Sequence, residues 1–496
     1  MKQHLSTLGK QTLVYGVSGT ALQAVGLITL PIFARVFTPA EYGVLEMVTV
    51  GLAALMLVAD LGLSSASQRS FFDYDEGQPN QRRSVLTTAI ATALGVSVVI
   101  AIVLFAARGP LADWLLAGQG YTTLLALAAV SIPLTVAASM LREVMRLHFR
   151  AWHYAASATL SAVIVGGLGA GLVLWTGAGV DGVLIGIVTG NAAAVAYGLA
   201  VAGRDAIGRF SLQELRTMLA FGLPLIPAAA ALWGVAFLDR VMLSRLADLA
   251  DVGEYAVAAR FATVVMLAVT AFGLAFSPFY LSLWSRDPEA EKRIRARILT
   301  YVSATLAFIS LALGLFAREV LTVVAPAFMG SHELVGVLCL GVTLFGVANV
   351  SMAGMVLARR TRLIAAYSLV AVLVNLALTV ALIPSLKGLG AALAAVGGYA
   401  TLAGGYYLHS QRLYPTPYAP WRTAAPVVVA AVLMPLGLLP LGLVAVALKL
   451  GALGAFAAAL VGLRVFERAE LAELVKALRR IARRPERPLS SAPSGP

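Results

Sequence analysis

Six ionisable residues of this chain stand inside apolar segments or at their ends, where charge is costly. Arg260 lies about eight residues into one such segment (GEYAVAARFATVVML), roughly 12 Å along a helix. A charge at that depth usually faces a cavity or a charged partner. We expect Arg260 to face a functional cavity, with a buried structural ion pair as the alternative.

Glu46 lies at a similar depth in an earlier apolar segment. An internal duplication, described below, maps Glu46 onto Ala259, directly beside Arg260. Ionisable side chains inside a membrane pair with one another or face a cavity. We therefore expect Glu46 and Arg260 to be partners.

Asp60 stands in the sequence LVADLGLSSASQR, near the end of its apolar segment. A carboxyl group there can carry a proton or a cation across a transport cycle. It can equally stabilise a bend at Ser64 and Ser65 by accepting hydrogen bonds. Both roles remain open.

Arg35 and Arg240 end two equivalent apolar segments, and Asp239 precedes Arg240, where it can neutralise it. Arginine at such a position can be an interfacial anchor. Its guanidinium fork can also bind phosphate oxygens bidentately. A cavity ringed by Arg35, Arg240 and Arg260 would suit a pyrophosphate group. The candidates for gating or ion coupling are Glu46, Asp60 and Asp239.

The composition indicates that these residues are positioned by membrane helices. Of 496 residues, 60% are hydrophobic and 12% are charged, and the mean hydropathy is +0.87. These values exclude an ordinary soluble enzyme, a disordered chain and a nucleic-acid binder. The apolar residues suffice for about fourteen helices of roughly 20 residues each. The single cysteine, Cys339, is expected to be a packing residue.

Apolar segments bounded by charges, proline or glycine predict fourteen membrane spans. The predicted spans are 12–35, 42–67, 84–107, 121–141, 154–176, 180–203, 216–239, 252–284, 297–317, 334–358, 363–383, 388–410, 423–445 and 447–466. The last boundary is the weakest, because only Lys449 and nearby glycines mark it. A short amphipathic helix and a Pro/Ser-rich end are predicted from Glu467, and this basic tail is either a solvated cytoplasmic segment, which we favour, or a contact for anionic lipid.

The basic residues predict the orientation of these spans. With a cytoplasmic N-terminus, alternate connections and their edges hold all but eight of the 37 Lys and Arg residues. Such a bias marks the cytoplasmic side. The eight exceptions are Arg35, Arg108, Arg240, Arg245, Arg260, Arg318, Lys387 and Lys449. Both termini are therefore predicted to be cytoplasmic.

Three short matches predict an internal duplication. Arg35-Val36-Phe37 matches Arg240-Val241-Met242, Glu41-Tyr42-Gly43-Val44 matches Glu254-Tyr255-Ala256-Val257, and Gly182 matches Gly390. The offsets are 205, 213 and 208 positions. Six helices are thus repeated in parallel about a pseudo-two-fold axis along the membrane normal. The predicted units are helices 1–6 (1–209), helices 7–12 (210–412), two further helices (413–466) and the tail (467–496).

The chain lacks the sequence signatures of the common catalytic and cofactor sites. It has no Walker A motif, and His148 and His153 are five positions apart, a poor zinc spacing on a helix. No outward connection is long enough to hold a catalytic site. A non-enzymatic transporter without a cofactor is expected.

The first two predicted helices resemble those of Wzx-type polysaccharide-unit flippases. These proteins belong to the multidrug/oligosaccharidyl-lipid/polysaccharide exporter superfamily, with the MurJ-type lipid II flippases and the MATE drug exporters. The resemblance rests on Arg35, Pro39-Ala40-Glu41-Tyr42-Gly43 and Asp60-Leu61-Gly62. The second half repeats part of it as Asp251-Val252-Gly253-Glu254-Tyr255.

The resemblance implies a V-shaped bundle of two six-helix lobes around a cationic cavity. It implies an oligosaccharide substrate carried on undecaprenyl pyrophosphate and flipped to the outer leaflet of the bacterial cytoplasmic membrane, as for O-antigen or other surface polysaccharides. The expected partners are this glycan, membrane lipids and a polymerase or export machinery, and a monomer is expected. A lipid II flippase and a MATE-like cation exporter are the alternatives.

Overall fold

The computed structural model describes residues 26–75, 77–116 and 119–465, and each regular element in these ranges is a helix. The predicted all-α class is confirmed. The first half of the predicted span 12–35 and the predicted tail 467–496 lie outside the described residues.

Seventeen helices, several joined by short 3-10 turns, build the described part of the chain. In chain order they are α1 (Gly26–Val36), α2 (Pro39–Asp60), α3 (Leu63–Phe72), α4 (Pro79–Ala106), α5 (Arg108–Leu116), α6 (Thr122–Leu147), α7 (Ala151–Thr176), α8 (Gly179–Ala206), α9 (Leu212–Gly222), α10 (Ile226–Leu246), α11 (Leu249–Arg286), α12 (Pro288–Leu315), α13 (Ala317–Val324), α14 (His332–Leu357), α15 (Thr361–Leu413), α16 (Pro420–Leu433) and α17 (Leu443–Gly462).

Eleven helical segments of the described residues are long and apolar enough to cross a membrane. Helix α15 supplies one of them, although it is a hairpin of two arms. Lys387 breaks it with φ 48° and ψ −125°, and the Tyr367 hydroxyl of one arm lies 2.6 Å from His409 Nδ1 of the other. The arms match the predicted spans 363–383 and 388–410. The chain is a multi-pass membrane protein, and the count of fourteen crossings stays a prediction.

Two predicted spans are divided where the sequence analysis expected single helices. The second span is α2 followed by α3, with Leu61 and Gly62 in the left-handed region at φ 49° and 72°. The seventh span is α9 and α10, separated by a 3-10 turn at Leu223–Leu225. The two breaks are in backbone contact with each other. A Cβ added to Gly62 would lie 2.5 Å from the Gly222 carbonyl oxygen.

The helices of the first half recur in the second. Helices α4 and α12 are both 28 residues long and begin at Pro79 and Pro288. Helices α6 and α14 are both 26 residues long, and each is followed by a left-handed residue with φ 57°, Phe149 or Arg359. These pairs are 209 and 210 positions apart. The repeated helices support the predicted duplication, while the exact unit boundaries stay predictions.

The two halves meet most closely where α2 crosses α11. A Cβ on Gly43 would lie 1.9 Å from the Leu249 carbonyl oxygen, and one on Gly253 would lie 1.9 Å from that of Pro39. The contact is therefore reciprocal, and Gly253 follows Gly43 by 210 positions. Small residues permit such close backbone approach between membrane helices. This crossing brings Glu46, three residues beyond Gly43, next to the second half.

Candidate functional site

A cavity of about 530 Å³ lies between the two halves, just beyond the crossing of α2 and α11. Helices α1 and α2 supply one side, and α10 and α11 supply the other. The residues that carry its chemistry are Glu46, Thr49, Phe237, Arg240, Arg260 and Thr263. Three of the six residues predicted from the sequence thus meet in one cavity.

Glu46 is the shared partner of two arginines from the opposite half. Arg240 Nε lies 2.8 Å from Glu46 Oε1, and Arg260 Nη2 lies 3.4 Å from Glu46 Oε2. The predicted contact between Glu46 and Arg260 is present. Both guanidinium groups attach to the same buried carboxylate, so this cluster ties α2 to α10 and α11.

Asp239 holds Arg240 from the other side. Its carboxylate accepts a hydrogen bond from the Arg240 backbone N–H at 2.8 Å and another from the Tyr255 hydroxyl. Arg240 Nη1 lies 3.3 Å from Asp239 Oδ1. The expected neutralisation of Arg240 by Asp239 is therefore present. A second cavity of about 160 Å³ opens on this side and is lined by Asp239, Tyr255 and Tyr399.

The two arginines differ in what they offer to a ligand. The Arg240 side chain is 11% exposed and lies between two carboxylates, whereas the Arg260 side chain is 37% exposed. The Tyr42 hydroxyl also lies beside the Arg260 guanidinium. The two positive charges of the cluster are balanced by Glu46 and Asp239. The expected cationic cavity is thus, in this conformation, a neutral cluster with one accessible guanidinium.

Arg35 does not reach this cavity. Its Nη2 donates to the Val323 carbonyl oxygen at 2.7 Å, and its side chain is exposed. This contact connects the end of α1 to α13, which fits the anchoring role that the sequence left open. The expected ring of three arginines is not formed, because Arg35 lies at the opposite end of α1 from Gly26 and Leu27, which line the cavity.

Asp60 lies at a third place, beside the break between α2 and α3. It accepts hydrogen bonds from the Ser64 hydroxyl and, at 3.3 Å, from the Ser64 backbone N–H. It therefore stabilises the first turn of α3, one of its two predicted roles. Asp60 also lines a separate cavity of about 350 Å³ with Ser139 and Trp233, so an ion-coupling role stays a prediction.

Comparison with known proteins gives the family. A family model described as polysaccharide biosynthesis protein matches residues 8–284. The chain belongs to this family. The chain is also 27% identical over 333 residues to the succinoglycan biosynthesis transport protein ExoT of Rhizobium meliloti (strain 1021). That match covers 63% of this chain and spans 62% of the relative's length.

Two solved structures show how this polysaccharide biosynthesis protein relates in fold to known transporters. The lipid II flippase MurJ in an inward closed conformation matches with a TM-score of 0.67 at 14% identity, over 90% of this chain and 98% of that chain. An inward-facing MATE family transporter of the MOP superfamily matches with a TM-score of 0.59 at 17% identity, over 82% of this chain and 95% of that chain. The expected resemblance in fold is confirmed, and the two matched proteins are named as a flippase and a transporter.

Sequence reasoning missed several residues that lie beside buried charges. Tyr42 and Tyr255 served only as markers of the repeat and of the resemblance, yet they lie beside Arg260 and Asp239 respectively. Their recurrence at matching places beside deep charges was a usable signal. Lys449 was taken only as a boundary marker. It lies inside α17, fully buried and 2.7 Å from Glu319 Oε1 of α13, a partner that no local pattern indicates.

Proposed function

We propose that the protein translocates an oligosaccharide linked to undecaprenyl pyrophosphate, from the inner to the outer leaflet of the cytoplasmic membrane. The observation that carries this proposal is the inter-half cavity with its partly exposed Arg260. The polysaccharide biosynthesis family and the transport function named for its succinoglycan relative support a glycan as the cargo.

The geometry suggests how a diphosphate would be bound. Arg260 presents its guanidinium to the cavity, and its ion pair with Glu46 is long, with 3.4 Å between Arg260 Nη2 and Glu46 Oε2. A diphosphate oxygen can form shorter, bidentate hydrogen bonds with the same fork. The substrate would then replace Glu46 as the partner of Arg260, while Arg240 stays paired with Asp239.

This exchange also supplies a coupling between binding and movement. Glu46 joins the halves through both arginines, so a substrate that displaces it weakens one inter-half contact. Alternating access requires the halves to rock against each other about the bound substrate. An ion gradient or the membrane potential would drive the return, with protonation of Glu46, Asp60 or Asp239 as the candidate coupling steps.

The same superfamily fold leaves two alternative cargoes. Lipid II carries the same pyrophosphate, so the Arg260 chemistry serves it equally. A MATE-like exporter of organic cations fits less well, because the accessible charge of the cavity is positive. Multi-pass membrane placement follows from the structure, whereas cytoplasmic termini, a monomeric state and association with polymerase or export machinery belong to the proposal.

Reconstituted transport tests the proposal. Proteoliposomes containing an undecaprenyl-pyrophosphate oligosaccharide are exposed to an impermeant glycosidase, which digests only outer-leaflet glycan. We expect the protein to expose the inner pool and Arg260→Gln to slow this by about tenfold or more, because charge-assisted hydrogen bonds are lost. Parallel vesicles with lipid II or an organic cation compare the alternatives.

Arg108→Gln is the matched control. Arg108 begins α5 at the predicted outer side, donates from Nη1 to the Phe105 carbonyl oxygen of the same half at 3.0 Å, and lies outside the cavity. It should transport at the wild-type rate. If Arg260→Gln exposes glycan as fast as the control does, Arg260 is not part of the binding site. A folded wild-type protein that exposes no glycan would reject the proposed cargo.

A further inference from the structure

The cavity beside Asp60, here named the Asp60 cavity, follows the inter-half cavity along the same face of α2. Seven α2 residues line one cavity or the other, and they recur with the i, i+3, i+4, i+7 spacing of a single helix face. They are Glu46, Thr49 and Val50 in the inter-half cavity and Ala53, Met56, Leu57 and Asp60 in the Asp60 cavity. From Glu46 to Asp60 this face is about 21 Å long.

Helix α10 lines the same two cavities with an aromatic row. Arg240 and Phe237 line the inter-half cavity, and Trp233 lines the Asp60 cavity. The Arg240 guanidinium lies over the Phe237 ring, 5.3 Å from its centroid, and the Phe237 and Trp233 ring centroids are 5.9 Å apart. Three and four positions separate these side chains, so they stand on one face of α10. An aromatic surface therefore leads from the arginine cluster to the Asp60 cavity.

The Asp60 cavity also holds polar groups that lack partners among the described residues. Both hydrogen bonds that Asp60 accepts from Ser64 go to Oδ1, so Oδ2 remains to accept from a ligand. The Trp233 Nε1–H is buried and has no acceptor within the described part of the chain. The Ser139 hydroxyl of α6 lines the cavity from the facing side. A volume of about 350 Å³ thus combines one aromatic ring with separate donors and acceptors.

These groups match the chemistry of a neutral sugar ring. A pyranose carries hydroxyl groups around its edge that donate and accept hydrogen bonds, and its C–H faces are apolar and pack on aromatic rings. Ligand cavities combine apolar and aromatic walls with a few placed polar groups in this way. An acidic sugar would be repelled by the Asp60 carboxylate. A prenyl chain would leave that carboxylate and the Trp233 N–H unpaired, which is unfavourable.

We propose that the Asp60 cavity binds a neutral pyranose ring of the glycan whose pyrophosphate is held at Arg260. The inference rests on the proposed function and adds the class of sugar and the residues that select it. Trp233 packs against one face of the ring, while Asp60 and Ser139 form hydrogen bonds with its hydroxyl groups. The glycan would extend from the arginine cluster along α2 and α10, with Phe237 beneath the sugar nearer the pyrophosphate.

Titration calorimetry with short lipid-linked disaccharides and the purified full-length protein tests this sugar subsite. The probes are farnesyl pyrophosphate and farnesyl pyrophosphate that carries cellobiose or lactose. Two sugars are needed because Trp233 lies about 10 Å along α10 from Arg240. We expect Trp233→Ala to bind at least one disaccharide conjugate about tenfold more weakly, because the aromatic surface is lost. Its affinity for farnesyl pyrophosphate should be unchanged.

Two milder variants give the answer if Trp233→Ala fails to fold. Trp233→Phe keeps an aromatic ring and loses the N–H, and Ser139→Ala loses only a hydroxyl group. Each should weaken conjugate binding about threefold, as expected for one hydrogen bond. Trp175→Ala is the matched control, because Trp175 of α7 is 86% exposed and does not line either cavity. It should bind all three probes as wild type does.

The outcomes separate the sugar subsite from the pyrophosphate site. Arg260→Gln should weaken binding of all three probes, whereas the Trp233 variants should weaken only the conjugates. Conjugate binding that is unchanged in Trp233→Ala, or weakened equally with that of farnesyl pyrophosphate, would overturn the subsite alone. Loss of tetraphenylphosphonium binding in Trp233→Ala, with the conjugates unaffected, would assign the cavity to organic cations. Wild-type protein that binds none of the three probes would reject the proposed function and the subsite together.

Discussion

At the scale of single residues, Glu46 does two things that compete with each other. It neutralises Arg240 and Arg260 across the two halves, and it occupies the acceptor position that a phosphate would need. Arg240 has a second carboxylate in Asp239, whereas Arg260 has only the Tyr42 hydroxyl beside it among the contacts described. Loss of Glu46 should therefore affect the two arginines differently.

Glu46→Gln tests this competition. We expect the variant to bind a short-chain prenyl pyrophosphate about two- to fivefold more tightly, because the competing ion pair of the partly exposed Arg260 is removed. The unfolding free energy should fall by about 3 kcal/mol, near the low end for a broken buried ion pair, since Arg240 keeps Asp239. Titration calorimetry and thermal unfolding measure the two effects.

Glu289→Gln is the control for Glu46→Gln, because that carboxylate is 67% exposed and lies far along the chain in α12. It should change neither the affinity for the prenyl pyrophosphate nor the unfolding free energy. Weaker pyrophosphate binding in Glu46→Gln would contradict a competing role and indicate that Glu46 instead orients Arg260 for its ligand.

The Glu291–Arg295 pair is a second residue-scale prediction. Both side chains are 1% exposed, so Arg295→Met leaves a buried carboxylate without its cation. We expect the unfolding free energy to fall by about 3–5 kcal/mol. The double variant Glu291→Gln and Arg295→Met should recover much of this loss, because no buried charge remains. A double variant as unstable as Arg295→Met would show that the Thr416 and Tyr418 bonds dominate.

At the scale of the helices, the crossing of α2 and α11 has no room for a side chain. A Cβ added to Gly43 or to Gly253 would lie 1.9 Å from a backbone carbonyl oxygen of the other helix. A backbone atom cannot rotate away as a side chain can, so the helices must separate to admit a methyl group. Because the Glu46 cluster lies one turn further on, that separation would also stretch its inter-half contacts.

Gly43→Ala and Gly253→Ala should therefore impair both folding and transport. Overpacking of this kind costs about 1–3 kcal/mol, and we expect the glycan-exposure rate to fall with it. Gly51→Ala is the control in the same helix, since a Cβ at Gly51 meets nothing within 4 Å. Equal behaviour of Gly43→Ala and Gly51→Ala would show that the crossing is open in the working protein.

The helices themselves were largely predictable, and the exceptions have physical causes. Apolar runs with charged edges locate the helices well because burial in a membrane requires both features. The break at Leu61 and Gly62 was hidden because both neighbouring segments are apolar, and only Asp60 and its serines hinted at it. Arg295 was counted as an orientation charge, although its hydroxyl partners lie more than 120 positions away.

At the scale of the whole molecule, the candidate site lies where the two predicted repeats meet. Glu46 and Arg260 are 214 positions apart in the chain, and the repeat offset predicted their meeting. The same reasoning failed for Arg35, because equivalence with Arg240 in sequence does not make both residues line one cavity. The two predicted repeats meet at the cavity with different side chains, since Arg240 lines it and Arg35 does not.

The asymmetric charge of the whole chain leads to a final prediction about orientation. Ser285 ends α11 and Thr322 lies in α13, so α12 alone separates them, and both are exposed. The basic residues predict that Ser285 is cytoplasmic and Thr322 is outside. In a Cys339→Ala background, which removes the buried native thiol, an impermeant maleimide should label Thr322→Cys in intact cells. It should label Ser285→Cys only in inverted vesicles. Labelling of both from one side would mean that α12 does not cross the membrane, and the orientation predicted from the basic residues would fail with it.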